Sequence, residues 1–346
     1  MPGTAVITGA SAGVGRATAC AFADAGWDLA LIARGADGLA GAAADVEARG
    51  RKAVTYQVDL TDWEAVRTAA REAEAHLGPI DVWVNNAMST IFSPIRDIDV
   101  EAFHRAVDVT FFGQVHGTLA ALELMRPRDR GTIVSVGSAL AYRSIPLQAP
   151  YCASKFATRG FMESLRTELI HENSGIRVTQ VHLPAVNTPQ FAWCRNNLDE
   201  HPMPVPPIYS PDVPAKAILE AATTAPREKV VGSWNRMLVL VNKVMPGVLD
   251  HFAARSAWEG QQVDGTKAPD TDNLYEPIDD APGTDRGAAG RFGDQDGGVL
   301  DPAFLKTLPQ TVATVVRAIT SRVREVRGDD HRGRELAPGA PTVDAG

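Results

Sequence analysis

One property of this sequence limits its fold more than any other. From the N-terminus to about residue 232, short apolar runs alternate with longer segments of helical periodicity. The strand-like runs are 5–8, 29–32, 53–56, 82–84, 132–136 and 178–181. Helical repeats fill 13–25, 36–49, 62–76, about 99–126 and 149–172. Strands that are apolar at successive positions bury both faces, which requires a parallel sheet with helices on each side. Crossovers between parallel strands are right-handed. The pattern therefore predicts an α/β fold built on a doubly wound, Rossmann-type parallel sheet. Local chemistry agrees: Asp59-Leu60-Thr61-Asp62 offers helix caps, and Gly78-Pro79 stops the helix before the next strand.

After about residue 255 the periodicity fades. Gly, Asp and Pro become frequent between 260 and 298, so a mostly irregular segment is expected, either wrapping the domain or mobile. Farther on, Leu305, Leu308, Val312, Val315, Val316, Ile319 and Val323 fall on one face of a helix expected near 302–326. The chain thus divides into a Rossmann-type domain, 1–255, and a C-terminal extension, 256–346. Residues 230–252 read as a packed amphipathic helix, with an interfacial membrane or partner helix as the second reading.

Bulk properties exclude several functions. The formal net charge of −8 argues against nonspecific attraction to nucleic acid or anionic membrane. No apolar run approaches a transmembrane span, and the N-terminus lacks the pattern of a secretory signal. Cys20, Cys152 and Cys194 are far apart and have no metal-ligand spacing, so neither a zinc site nor a disulfide scaffold is expected. A reducing cytoplasm fits best.

The first strand runs into Thr8-Gly9-Ala10-Ser11-Ala12-Gly13-Val14-Gly15 and then a helix. Gly9 permits the sharp turn. Gly13 lets backbone amides, that of Val14 among them, approach a pyrophosphate, and Gly15 lets the helix pack close. Ser11 can add a side-chain donor. The second strand ends at Arg34, where a Rossmann fold places the adenosine ribose. A carboxylate there would select NAD, whereas an arginine can receive a 2′-phosphate and favours NADP(H), with NAD(H) still possible. Tyr151 and Lys155 lie four residues apart at a helix start, on one face. Carbonyl reduction needs a proton donor, and an adjacent ammonium, aided by the positive charge of oxidised nicotinamide, is expected to bring the tyrosine nearer neutrality. Ser138, just past a strand end, can hold the substrate oxygen.

The spacing T-G-x-x-x-G-x-G, followed by Tyr-x-x-x-Lys, resembles the short-chain dehydrogenase/reductase family through about residue 232. That resemblance implies further roles. Asp59, with Leu60 beside it, would bind adenine. Asn86, in Asn85-Asn86-Ala87-Met88, would brace the sheet while the backbone near Ala87 lines the cofactor. Pro184-Ala185-Val186-Asn187-Thr188 resembles P-G-x-x-x-T, so Thr188 and the backbone of Pro184 and Val186 would bind the nicotinamide carboxamide. Thr110 stands where the family often has an asparagine of the proton relay, and it is a supporting candidate.

The expected function is an NADP(H)-dependent oxidoreductase acting on a carbonyl or alcohol. The alternatives are a non-catalytic NADP-binding regulator or scaffold, and an epimerase or dehydratase that retains its nucleotide. Phe191, Trp193, Met203, Ile208 and Tyr209 suggest a lid over a largely apolar substrate, with Leu140, Tyr142, Pro146 and Leu147 facing it. The long helices 99–126 and 149–172 resemble the family's pairing surface, implying a homodimer or homotetramer.

Overall fold

The computed structural model describes residues 3–263, 272–279, 287, 289–290 and 292. The helix expected near 302–326 lies outside the described residues. Seven strands make one parallel sheet: β1 (Thr4–Thr8), β2 (Asp28–Ala33), β3 (Ala53–Gln57), β4 (Ile80–Asn85), β5 (Gly131–Ser138), β6 (Ile176–Leu183) and β7 (Glu228–Val230). Their order is β7-β6-β5-β4-β1-β2-β3. The order reverses beside β1, the position at which doubly wound sheets open a crevice for ligands. All six strand-like runs of the sequence lie in the sheet. The seventh strand was missed because it is only Glu-Lys-Val, none of it fully buried.

Side chains alternate across the sheet as the pleat requires. Ala5, Ile7, Leu29 and Leu31 pack with helices α1 (Gly13–Asp24), α2 (Ala36–Glu47) and, by way of Ile218 and Ala221, Asp212–Thr224. Val6, Ala30, Ile32 and Trp83 face the other layer, supplied by α3 (Trp63–Leu77), Gly113–Met125 and α6 (Ala149–His171). The predicted cap is present: Asp62 accepts from the Ala65 amide at 3.0 Å. Gly78 ends α3 at φ +87°, where a side chain would be strained.

Two expected helices are interrupted. The 99–126 pattern divides into α4 (Val100–Val107), a π turn (Asp108–Phe112) and α5 (Gly113–Met125). The 230–252 pattern divides after Val244 because Pro246 lacks the amide that would continue the ladder. Its first half, Ser233–Val244, buries Asn235 and leaves Met237, Leu240 and Val244 exposed. No helix among the described residues is long and apolar enough to cross a membrane. In the extension, residues 272–279 carry no helix or strand, and they lie against the domain.

Candidate active site

A cavity of about 380 Å³ opens at the carboxyl ends of the strands. The β1–α1 turn forms one wall. Gly9 (φ +66°) and Gly13 (φ +54°) both adopt backbone conformations that disfavour a Cβ. Gly9, Ser11, Gly13 and Val14 line the cavity. Gly15 does not; it packs where a Cβ would lie 2.0 Å from the Gly9 carbonyl oxygen. Asn86 fastens this turn to the end of β4, its Nδ2 donating to the Thr8 and Gly9 carbonyls at 3.0 and 3.2 Å. Asn86 and Ala87 face the cavity as well, with Met88 beside them.

The catalytic candidates converge on the same space. Ser138 ends β5, while Tyr151 and Lys155 occupy the first turns of α6, and all three line the cavity. The Ser138 side chain lies close enough to the Tyr151 phenol to lower its pKa, and its hydroxyl accepts from the Leu140 amide at 3.1 Å. Lys155 Nζ lies 5.4 Å from the centre of the tyrosine ring and donates to the Val136 carbonyl at 2.7 Å. Gln114 Nε2 donates to that carbonyl at 3.3 Å, and its Oε1 accepts from Ser135 at 2.7 Å. Sequence reasoning missed Gln114. Its one signal was a glutamine at the start of a largely apolar helix.

The protein's own electrostatics, without a nicotinamide, favour the protonated phenol. Tyr151 is pushed up to about 12, not toward neutrality, because burial outweighs the lowering effect of Ser138. Burial also lowers Lys155, from 10.5 to about 7. The protein alone therefore keeps Tyr151 protonated, the form a general acid needs.

A stability prediction follows from Lys155. The folded protein binds fewer protons at this site than the unfolded chain between about pH 7 and 10.5, so stability rises with pH across that window. Below it, the cost of burying the lysine is fully present. Lys155→Met should therefore stabilise the cofactor-free protein by on the order of 2 kcal/mol at pH 7, with the gain shrinking as pH approaches that of free lysine. Denaturant unfolding across the pH range measures this, and parallel curves for the two proteins would contradict it.

Thr110 is fully buried inside the π turn. Its hydroxyl donates to the Ser89 carbonyl at 2.7 Å and accepts from the Ser89 amide at 2.9 Å, and it does not line the cavity. Pro184, Val186 and Thr188 do line it, close to the glycine turn; a Cβ at Gly13 would meet Thr188 at 3.3 Å.

At the opposite end, Arg34, Asp59 and Leu60 line the cavity. Asp59 accepts from Thr61 and pairs with Arg105, an ion pair that sequence reasoning did not anticipate. Arg34 is engaged by the extension: Nη1 donates to the Leu274 and Tyr275 carbonyls at 3.3 and 2.7 Å, and Nη2 to the Asn273 carbonyl. The extension also reaches the glycine turn, where the Gly13 amide donates to the Gly287 carbonyl at 3.1 Å.

The apolar end of the cavity is walled by Phe92, Leu140, Phe191, Trp193, Trp234 and Leu238. Of the residues expected to face a lid, Leu140 does so. Tyr142 instead bonds Glu228 and packs edge-on against His182 at 4.9 Å.

Comparison with known proteins decides the family. The short chain dehydrogenase profile matches residues 3–198. The chain belongs to the short-chain dehydrogenase/reductase family. The match covers the first six sheet strands and every catalytic candidate. This dehydrogenase is 32% identical over 266 residues to the uncharacterized oxidoreductase YxnA of Bacillus subtilis (strain 168), covering 76% of this chain and 75% of that protein. It superposes with a TM-score of 0.57 on the alcohol dehydrogenase of the archaeon Thermococcus sibiricus, solved with 5-hydroxy-NADP. That match has 27% identity and covers 67% of this chain and 95% of the other. A short chain dehydrogenase of Mycobacterium paratuberculosis bound to NAD gives 0.59 at 25% identity, covering 66% and 96%. The dehydrogenase is accordingly a nicotinamide-dependent oxidoreductase acting on CH–OH or carbonyl groups of small molecules.

Proposed function

We propose that this dehydrogenase uses NADP(H) to reduce an apolar carbonyl compound to its alcohol, or to run the reverse, with Tyr151 as general acid and base. The observation that carries the reading is the convergence of Ser138, Tyr151 and Lys155 on a cavity that also takes in the glycine turn and Arg34. The residues fit a dinucleotide: Gly9 and Gly13 keep the turn free of Cβ atoms, a phosphate would take the place of the Gly287 carbonyl at the Gly13 amide, and the cavity runs from Arg34 to Thr188. When bound, the nicotinamide supplies or receives the hydride. Ser138 donates a hydrogen bond to the substrate oxygen and stabilises developing negative charge. Tyr151 gives its proton to that oxygen. Lys155, seated on the Val136 carbonyl, holds positive charge near the phenol.

The aromatic and aliphatic walls favour an apolar substrate. Exposed Phe112, Leu119 and Phe156 on the long helices support pairing into a homodimer or homotetramer. A cytoplasmic location completes the reading.

Loss of NADPH absorbance across a panel of ketones and aldehydes of rising apolar size tests the proposal. Turnover should grow with apolar size; absence of turnover on every member would sink it. Arg34 supplies a second test. Arg34→Ala should weaken NADPH binding roughly tenfold or more while sparing NADH, because only NADPH loses a charge-assisted contact. Equal losses for both nucleotides would contradict the 2′-phosphate role.

A further inference from the structure

The extension lies outside the matched profile, yet one stretch of it is built into the cavity wall. Asn273 lines the cavity beside Arg34, and its Oδ1 is buried with no hydrogen-bond partner among the described residues. An orphaned buried acceptor is costly, and on a cavity wall it marks a place for a donor from a ligand. The segment is firmly anchored. Leu274 is fully buried against Ile91, Ala102 and Ala106. Asp272 pairs with Arg195 at 2.8 Å and caps the Leu274 amide at 2.9 Å. The Asn273 amide donates to the Trp193 carbonyl at 2.8 Å.

Three successive carbonyls, those of Asn273, Leu274 and Tyr275, seat the Arg34 guanidinium. A guanidinium has five N–H donors, so three such bonds fix its plane and leave donors for a phosphate. The Leu274 carbonyl also accepts from Arg105 at 3.0 Å, and Arg105 holds Asp59. One backbone turn therefore organises both polar side chains at this end of the cavity.

Resting on the cofactor reading above, we propose that residues 272–275 form the adenosine-binding wall of the site, with Asn273 contacting the nucleoside and the three carbonyls positioning Arg34. A carboxamide suits that task, since it can accept from an exocyclic amine while donating to a ring nitrogen.

The test uses the full chain and nucleotide binding, independently of turnover. Kd and dissociation rates for NADPH and NADH are measured by the fluorescence of the bound nucleotide. Asn273→Ala should weaken both nucleotides about tenfold, mostly through faster dissociation, because both carry adenosine. Leu274→Ser, which loosens the anchor, should in addition cut the preference for NADPH over NADH by about tenfold, the loss of one charge-assisted bond. A merely structural role would weaken both nucleotides equally and leave that ratio alone. Unchanged binding in Asn273→Ala would overturn the proposal. So would tighter binding in either variant, which would make the extension a competitor of the cofactor. A wild-type protein that binds neither nucleotide would overturn the cofactor reading itself; one that binds both, with unaltered variants, would overturn only this inference.

Discussion

Tyr151→Phe should lower kcat by about 10²- to 10⁴-fold, the range that a positioned proton donor contributes, with NADPH affinity nearly unchanged. The hydroxyl is the only group lost. Phenylalanine keeps the ring that packs 5.4 Å from Lys155 Nζ and keeps the helix intact. The Ser138 hydroxyl remains at the cavity but cannot replace the acid, because an aliphatic hydroxyl gives up its proton far less readily than a phenol. Steady-state turnover and a nucleotide titration on the same preparation check this. A variant with wild-type kcat would remove Tyr151 from the chemistry. A variant that loses both turnover and binding would point to a collapsed site.

The second large effect is expected at Gly15. A Cβ there would lie 2.0 Å from the Gly9 carbonyl oxygen and 2.6 Å from Asn86 Nδ2. The first contact is backbone, and the second belongs to the side chain that ties the glycine turn to β4. Neither can yield without moving the glycine turn. Gly15→Val should cost about 1–3 kcal/mol of stability by overpacking. It should also weaken NADPH binding on the order of a hundredfold, since the turn amides lose their aim. Denaturant unfolding and nucleotide titration read the two effects separately. Wild-type affinity in Gly15→Val would show that α1 can shift away from the turn freely.

Much of the site was legible in the sequence because its signals are local. Gly9, Gly13 and Gly15 answer to one turn, and the Tyr151–Lys155 spacing to one helix face. The Ser138 and Asn86 positions follow from strand ends, which a doubly wound sheet brings together at one crevice. Gln114 was not legible, because its role is to share the Val136 carbonyl with Lys155 from a different helix. The rise of the Tyr151 phenol in the cofactor-free protein was not legible either. Adjacency of a lysine is visible in the spacing, but the burial that raises the phenol exists only after packing.

The alternation of apolar runs determined by itself that this chain makes a parallel sheet with helices on both faces, because strand and helix periods are written in consecutive residues. Tertiary structure alone decided the seventh strand, three residues whose place is fixed by backbone pairing with β6. It alone decided the fate of Arg34 as well. The carbonyls that seat this arginine lie about 240 residues away in sequence, and every residue type carries a carbonyl. A contact made by backbone across that distance leaves no trace in side-chain patterning, so only the folded chain can disclose it.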